Sequence, residues 1–170
     1  MKKNDYAVLT LHRPSNVDNK ESLEYAIDIL SHIQQKIKMV FPIHPRTIKN
    51  LAKFNLMHKI KNQKNIILTE PLGYLDFINL MSNSKLVLTD SGGIQEETTV
   101  LGVPCITMRN STERPVTVEQ GTNMLVSTDK NKIIEAAGKI LNGVNLKGRI
   151  PKLWDGKAAK RIVEILVNRN

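Results

Sequence analysis

Cysteine is almost missing from the 170-residue sequence, with Cys105 standing alone. A single thiol excludes a disulfide framework and a cysteine-rich metal centre, and its setting in Val103-Pro104-Cys105-Ile106-Thr107-Met108 reads as a buried, inert side chain. Aromatic residues are scarce as well, 4% of the chain with one tryptophan, which leaves few platforms on which bases could stack. Acidic residues are in deficit, 16 against 25 Lys and Arg for a formal charge of +9. Such an excess suits nucleic acid when it is gathered into a patch, but 18 of the basic residues are lysines spread along the chain, so nucleic acid is not an expected partner. The charge is read instead as an aid to drawing in a small polyanion such as a nucleotide diphosphate. Long apolar runs are lacking too. No stretch approaches the roughly 20 residues that span a bilayer, and Met1 to Asp5 leads into a strand-like segment without a signal-peptide core. A soluble cytoplasmic protein, away from membranes and without metal or cofactor, is the expectation.

With 41% hydrophobic residues, the chain is long enough for one compact domain with a real core. Short β-rich runs alternate with segments of helical period. Tyr6 to Leu11, Met39 to Ile43, Asn65 to Leu68, Leu86 to Thr89, Cys105 to Met108 and Met124 to Val126 read as strands. Strands separated by helices require crossover connections, so the predicted fold class is α/β, a Rossmann-like doubly wound parallel sheet with helices on both faces. The first helix is predicted to be capped by Asp18 with Glu21 completing a capping box, and its apolar stripe runs from Leu23 to Ile37. Further helices are expected at about Thr47 to Lys53, Tyr74 to Met81, Ile94 to Leu101, Lys130 to Leu141 and Gly156 to Val167. The Gly-, Asn- and Lys-rich stretch from Asn142 to Leu153 is linker-like. It divides residues 1–153 from a terminal helical segment, 154–170.

The strongest local signal is Leu86-Val87-Leu88-Thr89-Asp90-Ser91-Gly92-Gly93-Ile94-Gln95-Glu96-Glu97, a buried strand that ends in a glycine turn opening a helix. Glycines let backbone approach a ligand closely, and the free N–H groups and dipole of a helix start favour a phosphate, to which Ser91 adds a hydroxyl. The alternative is a plain strand-to-helix turn in which Gly92 and Gly93 serve tightness. Glu97, one turn in, can accept from a ribose diol or simply face solvent. His12 and Arg13, after the first strand, and His44, in Pro42-Ile43-His44-Pro45-Arg46 after the second, fall at the same sheet edge as Ser91. Arg109 and Arg114, in Arg109-Asn110-Ser111-Thr112-Glu113-Arg114-Pro115, suit an anion by forked hydrogen bonding, or else pair with Glu113 in a surface loop. Tyr74 and Phe77, in Glu70-Pro71-Leu72-Gly73-Tyr74-Leu75-Asp76-Phe77, can wall a planar base or pack into the core.

These segments, with EQGTNMLV and WDGKAAKRI following, occur in an order and spacing that resembles the UDP-N-acetylglucosamine 2-epimerases over nearly the whole chain. The resemblance implies one half of a glycosyltransferase-B-like fold, the C-terminal, nucleotide-gripping domain of a non-hydrolysing epimerase. That enzyme interconverts UDP-GlcNAc and UDP-ManNAc by elimination and re-addition of UDP, in cell-surface polysaccharide biosynthesis. It implies further that Ser91, Gly92 and Gly93 hold the diphosphate, Glu97 the ribose, and Arg114 the nucleotide. His12 would stand beside the diphosphate as the catalytic residue, and Phe77 would line the uracil pocket. Arg13 and His44 resemble residues that hold a second UDP-sugar, an activator, in bacterial members. An N-terminal domain would bring the C2 acids and bases, the 154–170 helix would pack back toward it, and the full-length enzyme would form a homodimer. Val116, where glutamate is usual, and the shortened Leu153-Trp154-Asp155-Gly156 depart from the pattern. A hydrolysing epimerase releasing ManNAc, a glycosyltransferase donor domain and a non-catalytic nucleotide-sugar module are the rival readings.

Overall fold

A computed structural model describes residues 2–144, 146 and 148–168; Met1, Asn145, Lys147, Arg169 and Asn170 lie outside the described residues, so the linker is seen only in part. Six strands, β1 (Tyr6–Thr10), β2 (Lys38–Pro42), β3 (Ile66–Thr69), β4 (Leu86–Thr89), β5 (Cys105–Thr107) and β6 (Asn123–Leu125), form one sheet in the order β3-β2-β1-β4-β5-β6. Every pairing is parallel, and β1 lies at the centre, with Val8 opposite Val40 on one side and Val87 on the other. Sheets covered on both faces need strands that are apolar throughout. Ala7, Val8 and Leu9 of β1 and Leu86, Val87 and Leu88 of β4 meet that need, each with no exposed surface.

Nine helices are described: α1 (Pro14–Val17), α2 (Lys20–Ile33), α3 (Pro45–Lys53), α4 (Met57–Lys61), α5 (Tyr74–Ser82), α6 (Gly92–Leu101), α7 (Pro115–Glu119), α8 (Lys130–Leu141) and α9 (Ala158–Val167). Alternation along the strands sorts the core into two clusters. Leu9, Phe41, Leu88 and Ile106 pack with Leu23 and Leu30 of α2 and Ile133 of α8, whereas Tyr6, Val8, Val40 and Val87 pack with Met81 of α5. The α9 helix has no buried residue, and Ile162, Val163, Ile165, Leu166 and Val167 are all more than half exposed.

The expected cap of α2 is displaced by one residue. Asn19, not Asp18, is the N-cap and accepts from the Ser22 N–H, because the residue directly before the helix is the one whose side chain reaches the free N–H groups of its first turn. The Asp18 carboxylate accepts from Arg46 and Asn50 of α3 instead. Ile37 lies beyond the end of α2, although it still packs against the core. The short helices α1, α4 and α7 are additional to the expected set. Among the described residues, no helix is long and apolar enough to cross a membrane.

Candidate functional site

From β1 the chain winds one way across the sheet, through β2 to β3, and from β4 it winds the other way, through β5 to β6. Ligands of open parallel sheets bind in the crevice beyond the carboxyl ends of strands at such a reversal. The β1–α1 loop carries His12 and Arg13 to that crevice, and the β4–α6 turn brings Ser91, Gly92 and Gly93.

Asp90 ties the two loops together. It is fully buried, and its Oδ2 accepts from the His12 N–H at 3.0 Å, the Arg13 N–H at 2.9 Å and Asn16 Nδ2 at 3.0 Å. Its Oδ1 lies 3.0 Å from His12 Nδ1. Burial alone would raise the Asp90 pKa, but the hydrogen bonds from His12, Arg13 and Asn16 outweigh it and hold the carboxyl below its usual value. His44, the N-cap of α3, accepts from the Arg46 N–H, and its ring lies 5.4 Å from that of His12. The two histidines that the sequence places at one edge therefore touch.

The glycine turn admits a test of why glycine is there. Neither Gly92 nor Gly93 has a positive φ. A Cβ on Gly93 would meet nothing within 4 Å, and one on Gly92 would stand 3.8 Å from Glu113 Oε2 and 3.9 Å from an Arg13 guanidinium nitrogen, ordinary contact distances. Tightness of the turn thus accounts for neither glycine. Ser91 occupies the N-cap of α6, yet its hydroxyl makes no cap hydrogen bond, so the opening N–H groups of the helix take no side-chain acceptor from it. Arg13 overlooks this helix start, and its Nε is buried without a hydrogen-bond partner.

The β5–α7 loop completes the rim. Arg109 grips Glu113 through two nitrogens at 2.9 and 2.7 Å, and this bond holds the Glu113 carboxyl down at about 2. Arg114 pairs with Glu96 on α6 at 2.7 Å. Of the two arginines, Arg109 therefore follows the ion-pair alternative, whereas Arg114 sits over the α6 face with its side chain 45% exposed. A buried polar network fixes the loop. Gln95, with no exposed surface, donates to Ser91 O and accepts from Thr112 and Asn123; Asn123 also donates to Thr117 Oγ1, and Thr117 donates to Arg114 O.

Glu97 is partly buried, and burial, helped by the neighbouring Glu96 charge, pushes its carboxyl above the usual value. Phe77 is half-buried against the α5 side of the core, but Tyr74 is 67% exposed and does not pack inward. Asp90, Asn16, Gln95 and Asn123 had no role in the sequence reading. The local signal for Asp90 is an acid placed directly after the Leu-Val-Leu run of a buried strand. A cavity of about 610 Å³ opens toward α2 and α8 and shares Asn16 and Arg109 with this region, but none of the glycine turn lines it. A helix-start turn at a sheet edge is an open surface until a second wall faces it, and His12, Arg13 and Ser91 lie at the turn and not in the cavity.

The sequence model described as UDP-N-acetylglucosamine 2-epimerase matches residues 1–167. The UDP-N-acetylglucosamine 2-epimerase of Methanocaldococcus jannaschii is 49% identical over 166 residues, 95% of this chain and 44% of that protein. The crystal structure of the Methanocaldococcus jannaschii enzyme in complex with UDP-GlcNAc and UDP superposes with a TM-score of 0.87 at 48% identity, covering 98% of this chain and 46% of that one. The Neisseria meningitidis UDP-GlcNAc 2-epimerase bound to UDP-GlcNAc gives 0.83 at 32% identity, covering 97% and 45%. The chain thus spans somewhat under half the length of these relatives. The helix-start turn, the cations around it and the match along nearly the whole sequence agree, and the chain belongs to the UDP-N-acetylglucosamine 2-epimerase family.

Proposed function

We propose that the chain supplies the UDP-gripping domain of an enzyme that interconverts UDP-GlcNAc and UDP-ManNAc by elimination and re-addition of UDP. One observation carries the reading: the fold has no internal need for glycine at 92 and 93, so the demand comes from a group that approaches the backbone. A diphosphate fits, because the start of α6 offers N–H groups and a positive dipole end, with Ser91, His12, Arg13 and Arg114 around it. Elimination builds negative charge on the departing diphosphate, and donors fixed in place before the reaction stabilise that charge at no cost in reorganisation. Glu97 is assigned to the ribose hydroxyls and Phe77 to the uracil wall. Arg13 and His44 flank the diphosphate from the β1 and β2 side, which supports an adjoining site for a second UDP-sugar.

Removal and return of the C2 proton are assigned to a second, N-terminal domain. The nearby carboxylates of this chain have other work: Glu96 pairs with Arg114 and Glu113 with Arg109. The apolar surface of α9 supports the assignment of the 154–170 segment to packing on that domain.

Calorimetric titration with UDP tests the reading, with Gly93→Ala as the decisive variant. Alanine suits a helix better than glycine by up to about 1 kcal/mol, so stability should hold or rise while UDP affinity falls. Equal affinity in the two chains, or no heat with millimolar UDP from a folded chain, would refute it.

A further inference from the structure

We infer that Asp90 is a positioning residue that sets the tautomer of His12, keeping the proton on Nδ1 so that Nε2 is the nitrogen left for the diphosphate; the ligand in that statement rests on the UDP reading above. An ionised carboxylate only accepts hydrogen bonds. Asp90 Oδ1 lies 3.0 Å from His12 Nδ1, so the shared proton must come from the ring. With no exposed surface, Asp90 has no water to take over, while the His12 side chain keeps 35% of its surface in solvent. The hydrogen bonds to Asp90 also depress its pKa, which keeps it an acceptor.

His44 supplies an internal contrast. Its Nδ1 accepts from the Arg46 N–H at 3.1 Å, which requires that nitrogen to be bare and places the neutral ring's proton on Nε2. Two histidines whose rings lie 5.4 Å apart are thus held in opposite tautomers. The consequence for His12 is mechanical. With Nδ1–H pinned, its second proton comes and goes at Nε2 alone, so a developing phosphate charge meets a nitrogen that changes protonation without the ring turning.

The asymmetry of the Asp90 contacts makes an amide substitution informative. Oδ2 takes three donors, from His12 N, Arg13 N and Asn16 Nδ2, whereas Oδ1 faces His12 Nδ1 and, at a longer 3.2 Å, His12 N. In Asp90→Asn the amide oxygen keeps the three donors, and its NH2 group then donates to Nδ1. The His12 tautomer should invert while the loop stays in place.

Long-range 1H–15N correlation spectra of the labelled chain, at a pH where the rings are neutral, read this directly, with His12→Gln assigning the His12 signals. The parent should show His12 protonated on Nδ1 and His44 on Nε2. Asp90→Asn should invert His12 and leave His44 unchanged, and UDP added to the parent should move the His12 Nε2 signal more than the Nδ1 signal. A parent His12 protonated on Nε2, or a folded Asp90→Asn chain still protonated on Nδ1, overturns the positioning role; if the variant does not fold, the parent spectrum decides. An Nε2 signal unmoved by saturating UDP overturns the assignment of that nitrogen to the diphosphate. Failure of UDP to bind at all is read separately by calorimetry and counts against the nucleotide reading, not the tautomer.

Discussion

Toward α2 and α8 the sheet is covered by aliphatic side chains, among them Leu9, Leu23, Leu30, Leu88 and Ile133. Toward α6 and α7 many of the buried positions are polar: Gln95, Thr99, Thr107, Thr117 and Asn123. Apolar burial is strong but without direction, whereas hydrogen bonds are weak in net terms and fix angles. The first face therefore holds the fold together, and the second holds Ser91, Thr112 and Arg114 at defined positions above it. A chain that needed only stability would have had no use for a core glutamine. The site draws its geometry from the face that contributes less to stability.

Substitutions can break that division. Leu30→Ala, on the aliphatic face and away from the crevice, should cost about 2–5 kcal/mol in urea unfolding and leave the UDP affinity of the folded chain unchanged. Arg114→Ala should do the reverse: a loss of about 1.5–3 kcal/mol in UDP binding by calorimetry, since hydrogen bonds to charged groups have that magnitude. Its stability should move little, because the Arg114–Glu96 pair is exposed and surface pairs contribute about 0–1 kcal/mol. Asn123→Ala leaves Thr107 and Gln95 short of partners and should cost about 1–3 kcal/mol in stability, but with UDP affinity falling too. Stability loss without any change in affinity would dissolve the distinction between the faces.

The smallest effect is expected at Glu97. Glu97→Gln should reduce the preference for UDP over its 2′-deoxy analogue by about 1 kcal/mol, one ordinary hydrogen bond. In the parent this preference should fade as pH falls. Because burial and Glu96 raise the Glu97 pKa, the carboxylate is lost starting above its ordinary value of 4.5. Competition titrations across the acid range would show a preference that does not vary with pH if Glu97 is not the ribose ligand.

Much of the scaffold was legible because it depends on local pattern. All six strands fall within a residue or so of the apolar runs that announced them, and the long helices follow their periodicity. The helices α1, α4 and α7, of four or five residues, are too short to show a period. At the site, the loops and the shared edge could be read from strand ends. Partnership could not: Asp90 meets donors from residues 74 to 78 positions earlier, and its place after a buried strand says nothing of which donors those are. Gln95 likewise looks like any polar helix residue until Asn123 is placed beneath it. The alternatives for Arg109 and Arg114 were separated by a choice of carboxylate, Glu113 or Glu96, which only the relative placement of α6 and the β5–α7 loop decides.

The central position of β1 also has a kinetic consequence. One of its neighbours, β2, follows within thirty-odd residues, but the other, β4, must close a loop that brings Asp90 back to His12, 78 positions away. Non-local parallel pairing of this kind folds slowly, because the entropy of closing the loop is lost before the contacts form. During synthesis, β1 to β3 would exist for a time as a three-stranded sheet in which β1, almost wholly buried in the finished fold, is an open edge, a template for pairing with other chains. Chains truncated at Ser84 should then be more prone to aggregation and proteolysis than chains extended past α6, and comparing their protease resistance would show how exposed that edge is before β4 pairs with it.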